Sequence, residues 1–177
     1  MSTLDLLLEL GGKLADLTNT LTKRRPSKAE EQQLVQVSSQ YKELLNQYVI
    51  LQNIIQVYNA SLGNSDMRAI YNVCTHEFYN RAAEYIRNMA NHQVIKMDLK
   101  HIQFISLNLT RNTKEVIRFS NVEANIETQA EVYAHEKWIL FYSNGAQEPS
   151  YAINKYILIW SEGGWKLANS QVFQRIS

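Results

Sequence analysis

VEANIETQAEVYAHEKWILFY, residues 122 to 142, decides the fold class. Val122, Ala124, Ile126, Thr128, Ala130, Val132, Ala134, Trp138, Leu140 and Tyr142 occupy alternate positions. A period of two marks a strand with one buried face. A strand of this length must bend or take a bulge to stay on one core. The alternation spreads in both directions. Ile105, Leu107 and Leu109 alternate with polar neighbours, TRNTK at 110 to 114 reads as a turn, and a short strand is expected at about 116 to 119. SNGAQEPS at 143 to 150 reads as a loop, and strands at about 151 to 160 and 165 to 174 complete an antiparallel meander closed by SEGG. Gly163 and Gly164 permit the tight turn, with Trp160 and Trp165 near enough to meet across it.

Before residue 100 the period is helical. Leu7, Leu10, Leu14, Leu17 and Leu21 step by three and four along one stripe, with Gly11 and Gly12 marking a place to bend or break. TKRRPSK at 22 to 28 is a polar connector in which Pro26 ends one helix and Ser27 caps the next. Leu34, Val37, Tyr41, Leu44, Tyr48, Leu51, Ile55 and Tyr58 continue the same steps without a miss and predict a long helix from about 28 to 60. A coiled coil and an antiparallel helical hairpin both give this pattern. Three tyrosines in the stripe favour the hairpin, because each phenol needs a polar exit. SLGNSD at 61 to 66 reads as a stop, with Gly63 as left-handed terminator and Asn64 or Ser65 as the next cap. A third helix to about 91 is expected, its broad face including Ile70, Cys74, Phe78 and Ala82.

Composition narrows the function classes. Eighteen basic residues against 17 acidic ones leave a formal charge of +1, which gives no field suited to nucleic acid. The single cysteine, Cys74, rules out an internal disulfide or a multi-cysteine zinc site and fits a reducing, cytoplasmic setting. Asp5 and Glu9 interrupt the amino-terminal apolar run, so no signal peptide is expected, and no run reaches the roughly 18 apolar residues of a spanning helix. The Asn-X-Ser/Thr matches at Asn59 and Asn108 are accordingly read as accidental.

Three helices followed by a curved antiparallel sheet, ending in YILIWSEGGWKL at 156 to 167, resemble the cone-shaped α+β fold of the nuclear transport factor 2-like superfamily. Gly164, Trp165, Lys166 and Leu167 carry the pattern of its final hairpin, and VEANIETQAEVYAHEKW at 122 to 138 resembles the long bent strand of inner-membrane-translocase-type C-terminal domains, including those of cyanobacterial and plastid division proteins. The resemblance spans about 40 to 175 and implies an N-terminal helical extension and connector at 1 to 39 and an α+β domain at 40 to 177. It implies dehydratase-, isomerase- or hydrolase-like chemistry in the cone or, equally, an adaptor, assembly subunit or scaffold. Fold alone does not choose between these.

The residues offer little chemistry. Glu136 has the parity of Ala134 and Trp138, which would point it into the cone, but a bend or bulge near 135 to 137 that turns it outward is the favoured expectation. Asn154 shares a face with Ala152, Tyr156 and Leu158, while Asn169 and Gln171 share one with Leu167 and Phe173. A pocket built from Glu136, Asn154, Tyr156 and Trp160, with His76 from the third helix, is the candidate enzymatic or ligand site. Inward amides more often satisfy buried backbone groups. His92, His101 and His135 lack ligand spacing and no phosphate loop or nucleophile elbow occurs, so neither metal nor cofactor is expected. Cys74 lies on the apolar stripe and reads as a buried thiol. Lys23, Arg24, Arg25 and Lys28 could touch an anionic membrane or an acidic partner, but Glu30 and Glu31 cancel part of their field.

The expectation is therefore a non-catalytic interaction or assembly module. It would oligomerise or dock a protein partner through its N-terminal helices, with Leu7, Leu10, Leu14, Leu17 and Leu21 as the contact stripe. The alternatives are a small-molecule-binding or lyase/isomerase-type enzyme, and a peripheral membrane or secretion-system subunit.

Overall fold

The computed structural model describes residues 3 to 23, 26 to 111, 127 to 161 and 163 to 176. The short strand expected at 116 to 119, most of the 110 to 114 turn, residues 122 to 126 of the alternating stretch, and Arg24 and Arg25 lie outside them. The protein is α+β, with helices first and a four-stranded antiparallel sheet of order β1-β2-β3-β4 after them. Two compact units divide the chain, Met1–Ile50 and Leu51–Ser177.

The first unit is built from α1 (Thr3–Leu21) and the leading part of α2 (Lys28–Asn64). Leu7 and Leu10 are buried, and Leu14, Leu17 and Leu21 are half-buried. Gly11 and Gly12 do not break the helix. A methyl group on Gly11 would lie 3.3 Å from a ring carbon of Tyr41, so the absent side chain lets α1 approach α2 there. Ser27 starts α2 with a reciprocal cap: the Glu30 amide donates to the Ser27 hydroxyl at 3.3 Å, and the Ser27 amide donates to the Glu30 carboxylate at 2.9 Å.

In the second unit the last turns of α2 supply Leu51, Ile55, Tyr58 and Leu62 to the core. α2 runs through Gly63, which is not left-handed; Ser65 is, at φ 56°, and Asp66 caps the next helix by accepting from the Ala69 amide. Gly63 is needed for a different reason, since a Cβ there would sit 2.5 Å from the carbonyl oxygen of Met97. The expected third helix is two helices, α3 (Met67–Val73) and α4 (His76–Asn91). Between them Cys74 is extended and bridges to Leu167, the Thr75 amide donates to the Leu167 carbonyl at 2.9 Å, and Thr75 caps α4. The break ties the helices to the final strand.

The strands are β1 (Val94–Arg111), β2 (Glu127–Tyr142), β3 (Gln147–Ser161) and β4 (Gly164–Ile176). β1 starts earlier than the expected 101, because Ile95, Met97 and Leu99 alternate with Lys96, Asp98 and Lys100 in the same period. The 143 to 150 loop is shorter than expected, since β3 already begins at Gln147. The bend required by the long β2 is met mainly across the ladder: Ile95, Lys100 and Ile105 of β1 are the unmatched residues at three of the four register shifts. From Ala130 to Trp138, β2 therefore keeps strict alternation of buried and half-buried positions. Gly163, at φ 80°, turns β3 into β4, and Trp160 and Trp165 meet across the hairpin edge-to-face with centroids 5.7 Å apart.

β4 contains two further shifts. Its register passes over Ala168 and then Phe173, so Ser170 and Val172 lie opposite Tyr156 and Asn154, and Arg175 lies opposite Ala152. The face expected to carry Asn169, Gln171 and Phe173 together with Leu167 is interrupted by the first of these bulges.

Candidate functional site: a buried carboxylate and the cavity above it

Unbroken alternation in β2 turns Glu136 inward, where only 1 % of its surface is exposed. The outward-turning bend expected at 135 to 137 does not occur, because the unmatched residues that curve this part of the ladder lie on β1 and leave β2 in register through Glu136. Four uncharged donors converge on its two oxygens. Asn59 donates to Oε1 at 2.8 Å and the Tyr156 hydroxyl donates to the same oxygen; Trp138 Nε1 donates to Oε2 at 2.8 Å and Asn154 Nδ2 at 2.5 Å. Asn59 also lies 2.9 Å from the Tyr156 oxygen. A carboxylate is an acceptor-only group, and this cluster of donors satisfies it without a cation. Tyr156 is held far above the ordinary phenol range, first by burial and then by the neighbouring Glu136. Tyr58, one residue before Asn59, is raised as well, mainly by burial.

Each member comes from a different local rule. Glu136 and Trp138 are alternate residues of β2; Asn154 and Tyr156 are alternate residues of β3, set opposite Ala134 and Val132 by the register. Asn59 comes from α2, where Leu51, Ile55 and Asn59 follow at four-residue steps and all three are buried. Asn59 enters sequence reasoning only as an accidental glycosylation match. The signal that identifies it is an amide occupying the i+4 position of an apolar row.

Above this floor lies a cavity of about 640 Å³, walled by Tyr58, Phe78, Trp138 and Met97, with Arg81, Arg175 and Glu148 also lining it. Glu136, Asn154 and Tyr156 line it too, but Trp160 and His76 do not. Trp160 sits at the β3–β4 hairpin, and His76 is an exposed residue at the start of α4, within 3.4 Å of Asn80. Cys74 is buried and does not line the cavity, and burial pushes its thiol up to about 12, which leaves it protonated and unreactive at neutral pH. Among the described residues no group of three His, Cys, Asp or Glu side chains is placed to hold a metal ion. Nor is any described helix long and apolar enough to cross a membrane.

The class defined so far is an α+β domain in which the end of α2, α4 and the antiparallel sheet line an open cavity over a fully hydrogen-bonded buried carboxylate. No family model matches the chain, and no curated protein matches it. Among solved structures it is similar to the intermembrane space region of chloroplast protein ARC6, with a TM-score of 0.52 and 15 % sequence identity over 69 % of this chain and 92 % of that one. At that identity the likeness is one of fold. It agrees with the part of the sequence resemblance that pointed to plastid C-terminal domains.

Proposed function

We propose that the chain is a non-catalytic interaction or assembly module that oligomerises or docks a protein partner through its N-terminal helices. The observation that carries this reading is the saturation of Glu136. A general acid or base must present an open lone pair or a proton to substrate, whereas both oxygens of this carboxylate are already engaged by Asn59, Tyr156, Trp138 and Asn154. The network locks the sheet to α2 and stabilises a scaffold. Apolar side chains on the first unit supply a surface for association: Leu8 is 68 % and Val35 70 % exposed, and Leu6, Val49 and Ile50 are exposed as well.

Within this reading, the leucines at 7 to 21 hold α1 in place, with Leu7 and Leu10 buried, and neighbouring side chains on the same helices meet the partner. The nuclear transport factor 2-like assignment of the α+β domain, the division of the chain near residue 39 and a cytoplasmic location belong to the same proposal. The fold likeness to a region of a chloroplast protein supports the interaction domain but not the cytoplasmic location, which rests on the single cysteine, and the near-balanced charge speaks against nucleic acid. Light scattering on the full chain and on a version starting at residue 29 tests the proposal. An assembly that reverts to a monomer on truncation is expected; an unchanged monomer in both removes self-assembly from the proposal.

A further inference from the structure

The two register shifts in β4 have a specific result at the cavity. Without the second shift, which passes over Phe173, the inner face would continue from Val172 to Gln174; with it, Arg175 lies opposite Ala152 on the cavity side. Bulges near sites re-aim a side chain in this way. The Arg175 guanidinium has no hydrogen bond or ion pair among the described residues, although it stands close enough to Tyr85 to oppose the rise that burial imposes on that phenol. Arg81, one helical turn before Tyr85, lies over the Phe78 ring at 5.2 Å, spends two of its five N–H groups on the Ala168 carbonyl and the Asn169 side chain, and has the exposed Glu77 carboxylate at 3.9 Å, beyond hydrogen-bond distance, so three N–H groups are not hydrogen-bonded. Of the acidic lining residues, Glu136 accepts four donors, and Glu148 accepts the Tyr142 hydroxyl at 2.8 Å through one oxygen and pairs with no described cation.

We infer that the cavity is a binding site for a small organic carboxylate with a flat apolar body. Arg175 and Arg81 take the carboxylate, and the body lies among the rings of Tyr58, Phe78 and Trp138. A planar guanidinium matches a carboxylate through paired N–H groups, and aromatic walls favour a flat ring system over a branched one. At about 640 Å³ the space suits a ligand of ordinary small-molecule size. The site lies wholly in the second unit, so this inference stands or falls separately from the association of the N-terminal helices.

The test uses the full chain, titrated calorimetrically with 2-naphthoate and with its neutral counterpart 2-naphthamide. Naphthoate is expected to bind at least about tenfold more tightly than the amide. Arg175 is exposed and holds no other group, so Arg175→Gln leaves the fold intact and should weaken naphthoate by about tenfold while leaving the amide unchanged. Equal affinities for acid and amide, naphthoate binding insensitive to Arg175→Gln, or no binding of either at millimolar concentration would each overturn the inference.

Discussion

At the scale of single residues, the account turns on Glu136. A buried carboxylate that has lost its water must recover equivalent hydrogen bonds, and here four neutral donors provide them. Glu136→Gln keeps the size but brings an NH₂ group against donors that need an acceptor. We expect a loss of about 2 to 3 kcal/mol in urea unfolding; a change below about 0.5 kcal/mol would mean that the network contributes little. Cys74 makes a second prediction. Its thiol is raised to about 12 from an ordinary 9, and Tyr58 and Tyr156 are also raised. Groups whose folded pKa is raised contribute stability that is fully present below the unfolded value and lost as pH rises through the folded one. Melting temperature should therefore fall from about pH 9 upward, and Tyr156→Phe should flatten the slope. A thiol reagent at pH 8 should label native protein far more slowly than protein in urea; equal rates would contradict the buried, protonated state. Much of this was readable in advance. Parity sets Asn154 beside Tyr156 and allowed Glu136 to face inward, but the length of β2 favoured a bend at 135 to 137 that would have turned it out, and the shifts fall on β1 instead; Asn59 is 77 residues distant from Glu136 in sequence, and no local period connects a helix amide to a strand carboxylate.

Among the elements, sequence period gave the long helix, the alternating strands and the Trp160–Trp165 hairpin, because each is a local consequence of which face is buried. The two errors of segmentation among the helices have a shared physical cause. Gly63 reads as a terminator because glycine is the usual left-handed residue, yet here it is required for close approach to the Met97 carbonyl. The α3–α4 break at Cys74 and Thr75 is fixed by hydrogen bonds to Leu167, which a helical apolar stripe does not reveal. The glycines separate these roles experimentally. Gly63→Ala places a methyl group 2.5 Å from a backbone oxygen and should cost about 1 to 3 kcal/mol. Gly12→Ala meets nothing within 4 Å on a continuous helix and should add about 0.5 to 1 kcal/mol. Thermal melts of the two variants should move in opposite directions; a stabilised Gly63→Ala would refute the close approach.

For the whole molecule, the decisive distinction is between a site that reacts and a surface that associates. The second unit spends its inward acid on its own amides, phenol and indole, while the helices of the first unit leave Leu8 and Val35 largely in water. Exposed apolar side chains on paired helices are what a helix-on-helix interface needs. The charge balance speaks against nucleic acid and the likeness to a solved structure is one of fold; neither selects a partner, because neither depends on the surface that would meet it. The most direct measurement is the solution mass of the full chain beside that of the double variant Leu8→Glu, Val35→Glu, which leaves the Leu7, Leu10 and Val37 packing in place. The account predicts a multiple of 20.5 kDa for the native chain and 20.5 kDa for the variant at the same concentration and with the same helical content. A variant that assembles as the native chain does would contradict it, and a native chain of 20.5 kDa would remove self-assembly and leave only docking of a different protein.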